Sequence, residues 1–160
     1  MTTMNKHIVS LVCLAAFAVS AQAGVNVTAP WVRATVPAQK STGAFMYLSS
    51  PTDARLVGVG SPVAERVEMH QMVMNGTTMK MDRVDGIDLP AGKGVNLAAG
   101  GYHVMLMGLK RQLKAGEAID LTLQLQGKDQ RPVSVKVRVP VKPITFVSPG
   151  VPDKTGHMGH

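Results

Sequence analysis

The feature that most constrains this chain is its punctuation. After residue 24, no stretch keeps a helical apolar period for more than a turn or two; apolar residues instead alternate with polar ones over short runs, each bounded by Gly, Pro, Ser or Asn. Ile119, Leu121, Leu123 and Leu125 alternate through 118–126, and Val135, Val137 and Val139 do so through 133–141. Strand-like runs also occupy 42–49, 55–59, 66–74, 77–84, 94–98 and 102–107. About seven to nine strands at roughly ten-residue spacing predict an all-β domain, an antiparallel sandwich or barrel. A length of 160 residues with 45% hydrophobic side chains suits one such domain with a real core and excludes intrinsic disorder.

The two ends read differently from the middle. Lys6 precedes an apolar run over 8–19, and Ala21-Gln22-Ala23 forms an A-x-A cleavage site. Residues 1–23 are therefore expected to be a cleaved signal peptide, the mature domain to cover 24–147, and export to be to a bacterial periplasm. The apolar run is too short to cross a bilayer, and no other stretch approaches about 18 apolar residues, so no membrane span is expected. The single cysteine, Cys13, falls within the leader; Val12 before it argues against a lipid anchor there. A mature chain without a thiol cannot build a disulfide framework, a CxxC redox pair, a thiolate zinc site or a blue-copper centre. Residues 148–160 contain Pro149, Gly150, Pro152 and Gly156 and read as a flexible tail ending His157-Met158-Gly159-His160. The net charge of +7 is scattered rather than clustered, and in an exported chain it does not point to nucleic acid.

Composition then poses a question. Aromatic residues make up only 4% of the chain, whereas methionine occurs 11 times. Asn75-Gly76 is the strongest hairpin signal present, and a two-residue loop there predicts that Met72 opposes Met79, His70 opposes Met81 and Glu68 opposes Arg83. Val67, Met69 and Val73 would then point to the core. Farther along, His103 and Met105 share a face about 7 Å apart, while Tyr102, Val104 and Leu106 have the character of the buried side.

Two imidazoles beside two or more thioethers, without a thiolate, form a donor set that favours Cu(I): soft thioether sulfur selects it over hard cations, and imidazole suits copper as well. Zinc sites draw on Cys, His and carboxylate instead. Both donors are neutral, so such a cage keeps a net charge near that of the ion itself. Ordinary packing is the competing explanation for each methionine taken singly, because methionine commonly fills cores. The residues alone leave both explanations open.

The spacing His70-x10-Met81-x21-His103-x-Met105 resembles the H-x10-M-x21-H-x-M signature of the periplasmic copper chaperone family PCu(A)C. The similarity continues through Trp31-Val32-Arg33, Gly43-Ala44-Phe45-Met46, Val67-Glu68-Met69-His70, Met79-Lys80-Met81 and the segment from Gly100 to Lys110. One departure is Ala99, where the family pattern has proline; it bears on turn stiffness and not on donors. The resemblance implies a cupredoxin-like Greek-key β-barrel or sandwich carrying one Cu(I) on His70, Met81, His103 and Met105. It also implies delivery of copper to a copper-accepting oxidase subunit, toward the copper-A centre of cytochrome c oxidase, alongside a Sco-type thioredoxin-like protein. A surface-accessible site of this kind is compatible with a monomer. His157, Met158 and His160 form a second candidate metal site, with Cu(II) as an added ligand there. The alternatives are a periplasmic copper-buffering or resistance protein with the same site, and a metal-free β-sandwich binding module. No serine–histidine–acid arrangement, phosphate loop or purposeful carboxylate pair points to an enzyme.

Overall fold

The structure, a computed structural model, describes residues 24–149. The expected signal peptide and the tail residues His157, Met158 and His160 lie outside the described residues. Ten strands and no helix make up the described chain: β1 (Asn26–Arg33), β2 (Ser41–Ser49), β3 (Ala54–Gly60), β4 (Ala64–Asn75), β5 (Thr78–Val84), β6 (Ile87–Leu89), β7 (Gly94–Leu97), β8 (Tyr102–Leu109), β9 (Ala118–Gly127) and β10 (Pro132–Lys142). Their order is β5-β4-β8-β7-β2-β1-β10-β9-β3-β6. β2 is shared lengthwise, since Ser41 to Ala44 pair with β8 and Met46 to Ser49 pair with β7. The two halves of the sheet meet where β1 and β10 run parallel, at Val32 with Val141 and Arg33 with Lys142. This is the all-β, cupredoxin-like architecture that the sequence led us to expect.

The core is built from inward alternate residues of both halves. Leu56, Leu121, Leu123, Leu125 and Val139 face it from one side, and Val32, Ala44, Leu48, Val104 and Leu106 from the other, all fully buried. Burying each of these valines and leucines contributes about 1.5–3 kcal/mol, so this alternation is the main source of cohesion.

Two strands were not expected. β1 contains Pro30, which cannot donate to the ladder, and next to it Ala29 adopts a left-handed φ of 48° where the pairing with β2 slips between Thr28 and Trp31. That bulge breaks the alternation a strand reading relies on. β6 has three residues, too few to show a period.

The hairpin is present but its register differs from expectation. Asn75 pairs with Thr78, so the two-residue loop is Gly76–Thr77, not Asn75-Gly76. Gly76 stands first in the loop with φ 63°, the conformation a type II′ turn demands at that position. Each β4 residue therefore meets a partner two positions farther along β5: His70 opposes Arg83, Met72 opposes Met81 and Met74 opposes Met79. A shift of two preserves the face of every side chain. Of the residues expected to be core, Met69 is buried and Val67 packs against the core, but Val73 lies near the hairpin tip and is exposed.

Candidate metal centre

Three neighbouring strands, β5, β4 and β8, place the candidate donors on one outward face. β4 and β8 pair antiparallel with His70 directly opposite His103 and Glu68 opposite Met105. The two imidazoles meet edge to face, their ring centroids 5.8 Å apart. Val104 and Leu106 alternate inward on β8, as expected, yet His103 is buried too, with 4% of its surface exposed. β8 is covered on both faces at that point.

Hydrogen bonds set which nitrogen of each ring is free. His70 Nε2 lies 2.9 Å from Glu68 Oε2 and donates to it, since a carboxylate oxygen only accepts. That leaves His70 Nδ1 with its lone pair, and this atom is buried without a hydrogen-bond partner among the described residues. His103 Nδ1 lies 3.3 Å from the Gly101 carbonyl oxygen and donates to it, which leaves Nε2 as the lone-pair atom. A carboxylate or carbonyl accepting from the far side of an imidazole is how proteins orient histidines that bind metals. An orphaned, buried acceptor is costly unless something else takes its lone pair.

Glu68 is the residue the sequence reading gave no role. The hydrogen bond from His70 holds its carboxyl below the usual range, with help from the nearby Arg83 and Arg66 guanidinium groups. Arg66 Nε stands 3.6 Å and Arg83 Nη1 4.0 Å from Glu68 Oε1, so the ionised carboxylate is balanced on one oxygen while the other holds His70. The available signal was its position two residues before His70 on a strand, which puts both side chains on one face.

The thioethers flank the rings. Met105 is half-buried, two residues from His103 on the same face, with Gly43 of β2 opposite it on its other side. A Cβ at Gly43 would come within 2.7 Å of the Phe45 ring, so glycine there leaves room for that ring over the position paired with Met105. Phe45 in turn stacks on Trp31 at 4.5 Å. Met81 is 47% exposed and sits diagonally from His70 across the hairpin instead of directly opposite. Such diagonal neighbours have Cα atoms roughly 7–8 Å apart, within reach of a long side chain. The structure thus brings His70, His103, Met105 and Met81 to one face of three adjacent strands. Among the described residues, no group of three or more His, Cys, Asp and Glu side chains is gathered for a metal. Two imidazoles and two thioethers sharing one face make a donor set that suits a soft monovalent ion better than a hard one.

A fold of this kind with this face defines the class: the chain is an all-β cupredoxin-like domain of the PCuAC type. It is similar to the solved "Copper-bound PCuAC domain from PmoF2", with 26% identity over 74% of this chain and 92% of that one and a TM-score of 0.60. It is also similar to apo-DR1885 from Deinococcus radiodurans, with 32% identity over 89% of this chain and 96% of that one and a TM-score of 0.58. Residues 25–139 match the family model "Putative lipoprotein LpqE-like", and the chain belongs to that LpqE-like family. The chain is also similar to "Putative lipoprotein Lxx21020" of Leifsonia xyli subsp. xyli, with 34% identity over 72% of this chain and 70% of that one.

Proposed function

We propose that this protein is a copper chaperone of the bacterial periplasm, holding one Cu(I) on His70, His103, Met81 and Met105 and passing it to an acceptor in cytochrome c oxidase assembly. The observation that carries the reading is the facing pair of half-buried His70 and buried His103, each ring tethered by one nitrogen and leaving the other free on a face otherwise supplied with thioethers. His70 would bind through Nδ1 and His103 through Nε2. The solved relative named as copper-bound and the one named CuI-DR1885 support copper, and the latter supports the monovalent state, as the cargo.

The chain's own residues account for both holding and release. Glu68 and the Gly101 carbonyl fix the rings, so little side-chain freedom is lost when an ion binds. Met81, half in solvent at the edge of the face, is the donor an incoming acceptor ligand can replace first. Exchange of thioethers one at a time avoids a naked ion. The acceptor is read as an oxidase copper-A subunit, with a Sco-type thioredoxin-like protein as the companion, and the carrier acts as a monomer without catalysis. Residues 1–23 are read as the exported leader and 148–160 as a tail on which His157, Met158 and His160 offer a second site for Cu(I) or Cu(II).

Anaerobic Cu(I) titration of the protein with X-ray absorption tests the site. One tightly held ion with mixed nitrogen and sulfur scattering is expected; oxygen-and-nitrogen scattering alone overturns the assignment. Transfer to an apo copper-A domain separates a chaperone from a buffering protein.

A further inference from the structure

The outward face does not run out of sulfur at Met81. Met72 opposes Met81 and Met74 opposes Met79, so four thioethers form two successive cross-strand pairs leading from the histidines to the hairpin tip. A two-residue loop is closed by a hydrogen-bonded pair, here Asn75 with Thr78, and the alternation of the ladder then makes both methionine pairs the closer, non-hydrogen-bonded type. The backbone agrees: the Met72 amide donates to the Gly101 carbonyl of the β8 side, turned away from β5. Side chains of such pairs start from Cα atoms only about 4.5 Å apart.

Packing does not account for them. Met74 is 60% exposed and Met79 51%, so neither gains much from burial. The opposite face of the same hairpin segment carries Gln71, Val73, Lys80 and Asp82, with Lys80 and Asp82 joined in an ion pair at 2.8 Å. Methionine is therefore confined to one face, the one continuous with the imidazoles.

We propose that Met72, Met74, Met79 and Met81 form a second, all-thioether site for a soft monovalent ion at the hairpin tip, a landing place from which Cu(I) moves onto His70 and His103. Thioethers are neutral and suit Cu(I), and at a tip this exposed they would hold it less firmly than the shielded, pre-oriented imidazoles. Met81 belongs to both sites, so an ion can pass from the tip to the rings without leaving protein donors. The proposal rests on the Cu(I) reading of the histidine site, but its tests separate the two.

With the full mature chain bearing His157→Ala, Met158→Leu and His160→Ala, so that the tail contributes no donors, Cu(I) is titrated anaerobically against a competing chelator, and each variant below is made in that background. The His70→Ala/His103→Ala variant is expected to keep about one equivalent with sulfur-only scattering, and adding Met74→Leu and Met79→Leu is expected to remove it. No copper on the first variant, or copper that survives the added leucines, overturns the tip site. Mixed nitrogen–sulfur scattering retained in the His70→Ala/His103→Ala variant, with the tail donors also removed, overturns the histidine reading instead. Because His103 is buried and its loss can disturb the fold, Ag(I) titration of the unaltered protein provides a second measurement through its methionine methyl NMR signals. Met74 and Met79 methyls are expected to move in a later phase than Met105; unmoved Met74 and Met79 signals overturn the proposal.

Discussion

Strands β9 and β4 lie in the same molecule and obey the same inward rule, yet their outward faces are filled by opposite principles. β9 buries Ile119, Leu121, Leu123 and Leu125 and turns Asp120 and Gln124 to solvent, with Asp120 paired to Arg138 of β10. β4 buries Met69 but turns Arg66, Glu68, His70, Met72 and Met74 outward, so that past Glu68 this face carries imidazole and thioethers. A sheet needs its inner alternates for cohesion and leaves its outer ones to solubility. Where the outer set runs on into sulfur and imidazole donors, cohesion did not choose them. The contrast separates what holds the fold from what it carries.

The sharpest way to break this contrast is to remove donors without touching the core. Met81→Leu with Met105→Leu is expected to abolish tight Cu(I) binding, while a volume-conserving exchange costs less than about 1.5 kcal/mol of stability per site. Chelator competition and urea unfolding measure the two halves of that statement, and unchanged Cu(I) affinity would defeat the site. The converse change, Leu123→Ala in the dry core, is expected to cost about 2–5 kcal/mol in unfolding free energy. Its copper stoichiometry at low temperature is expected to stay at the wild-type level. Glu68→Ala frees the far nitrogen of His70 and is expected to weaken Cu(I) binding roughly 10–100-fold. Replacing Arg66 by Ala leaves that hydrogen bond in place and is expected to change affinity far less.

The smallest effect belongs to the loop before β9. Glu117 accepts hydrogen bonds from Arg111 Nη1 at 2.7 Å and the Lys114 amide at 2.8 Å, and these hold its carboxyl below the ordinary glutamate value. A depressed folded-state value means that the stability it contributes is complete above the unfolded value and is lost as pH falls through the folded one. Thermal unfolding of Glu117→Gln between neutral and acid pH is expected to show a shallower loss than the parent, with Cu(I) binding at neutral pH unaltered.

The legible parts of the sequence were those in which one physical signal acted alone. β9 and β10 could be drawn from alternation because each has a buried and a wet face over nearly its whole length. β1 could not, because Pro30 and the Ala29 bulge mask it, and its pairing with β10 involves residues more than a hundred positions apart. Asn75-Gly76 marked the hairpin, but two turn types accommodate that glycine, one placing it second in the loop and the other first. Local sequence does not choose between them, and the II′ turn moved every partner by two. The donors stayed on their face because two is the period of a strand. That His70 and His103 share a site came only from resemblance, and that they lie opposite one another was not legible at all, since nothing within either segment sets the β4–β8 register. Gly43 and Phe45, which wall the Met105 side, also show their purpose only once β2 lies beside β8.

Two residues facing each other across antiparallel strands are related by a local twofold axis, and like side chains there would ordinarily be interchangeable. His70 and His103 are not. One is leashed at Nε2 by a carboxylate and the other at Nδ1 by a main-chain carbonyl, so the pair consists of opposite tautomers. Nitrogen NMR of the metal-free protein should therefore show two imidazoles with reversed signatures, an asymmetry built in before any ion arrives. The leashes also differ in kind: a carboxylate can be mutated away or neutralised, whereas a backbone oxygen cannot. Adjusting grip in this scaffold is thus a matter for the His70 side, and His103 is the fixed jaw.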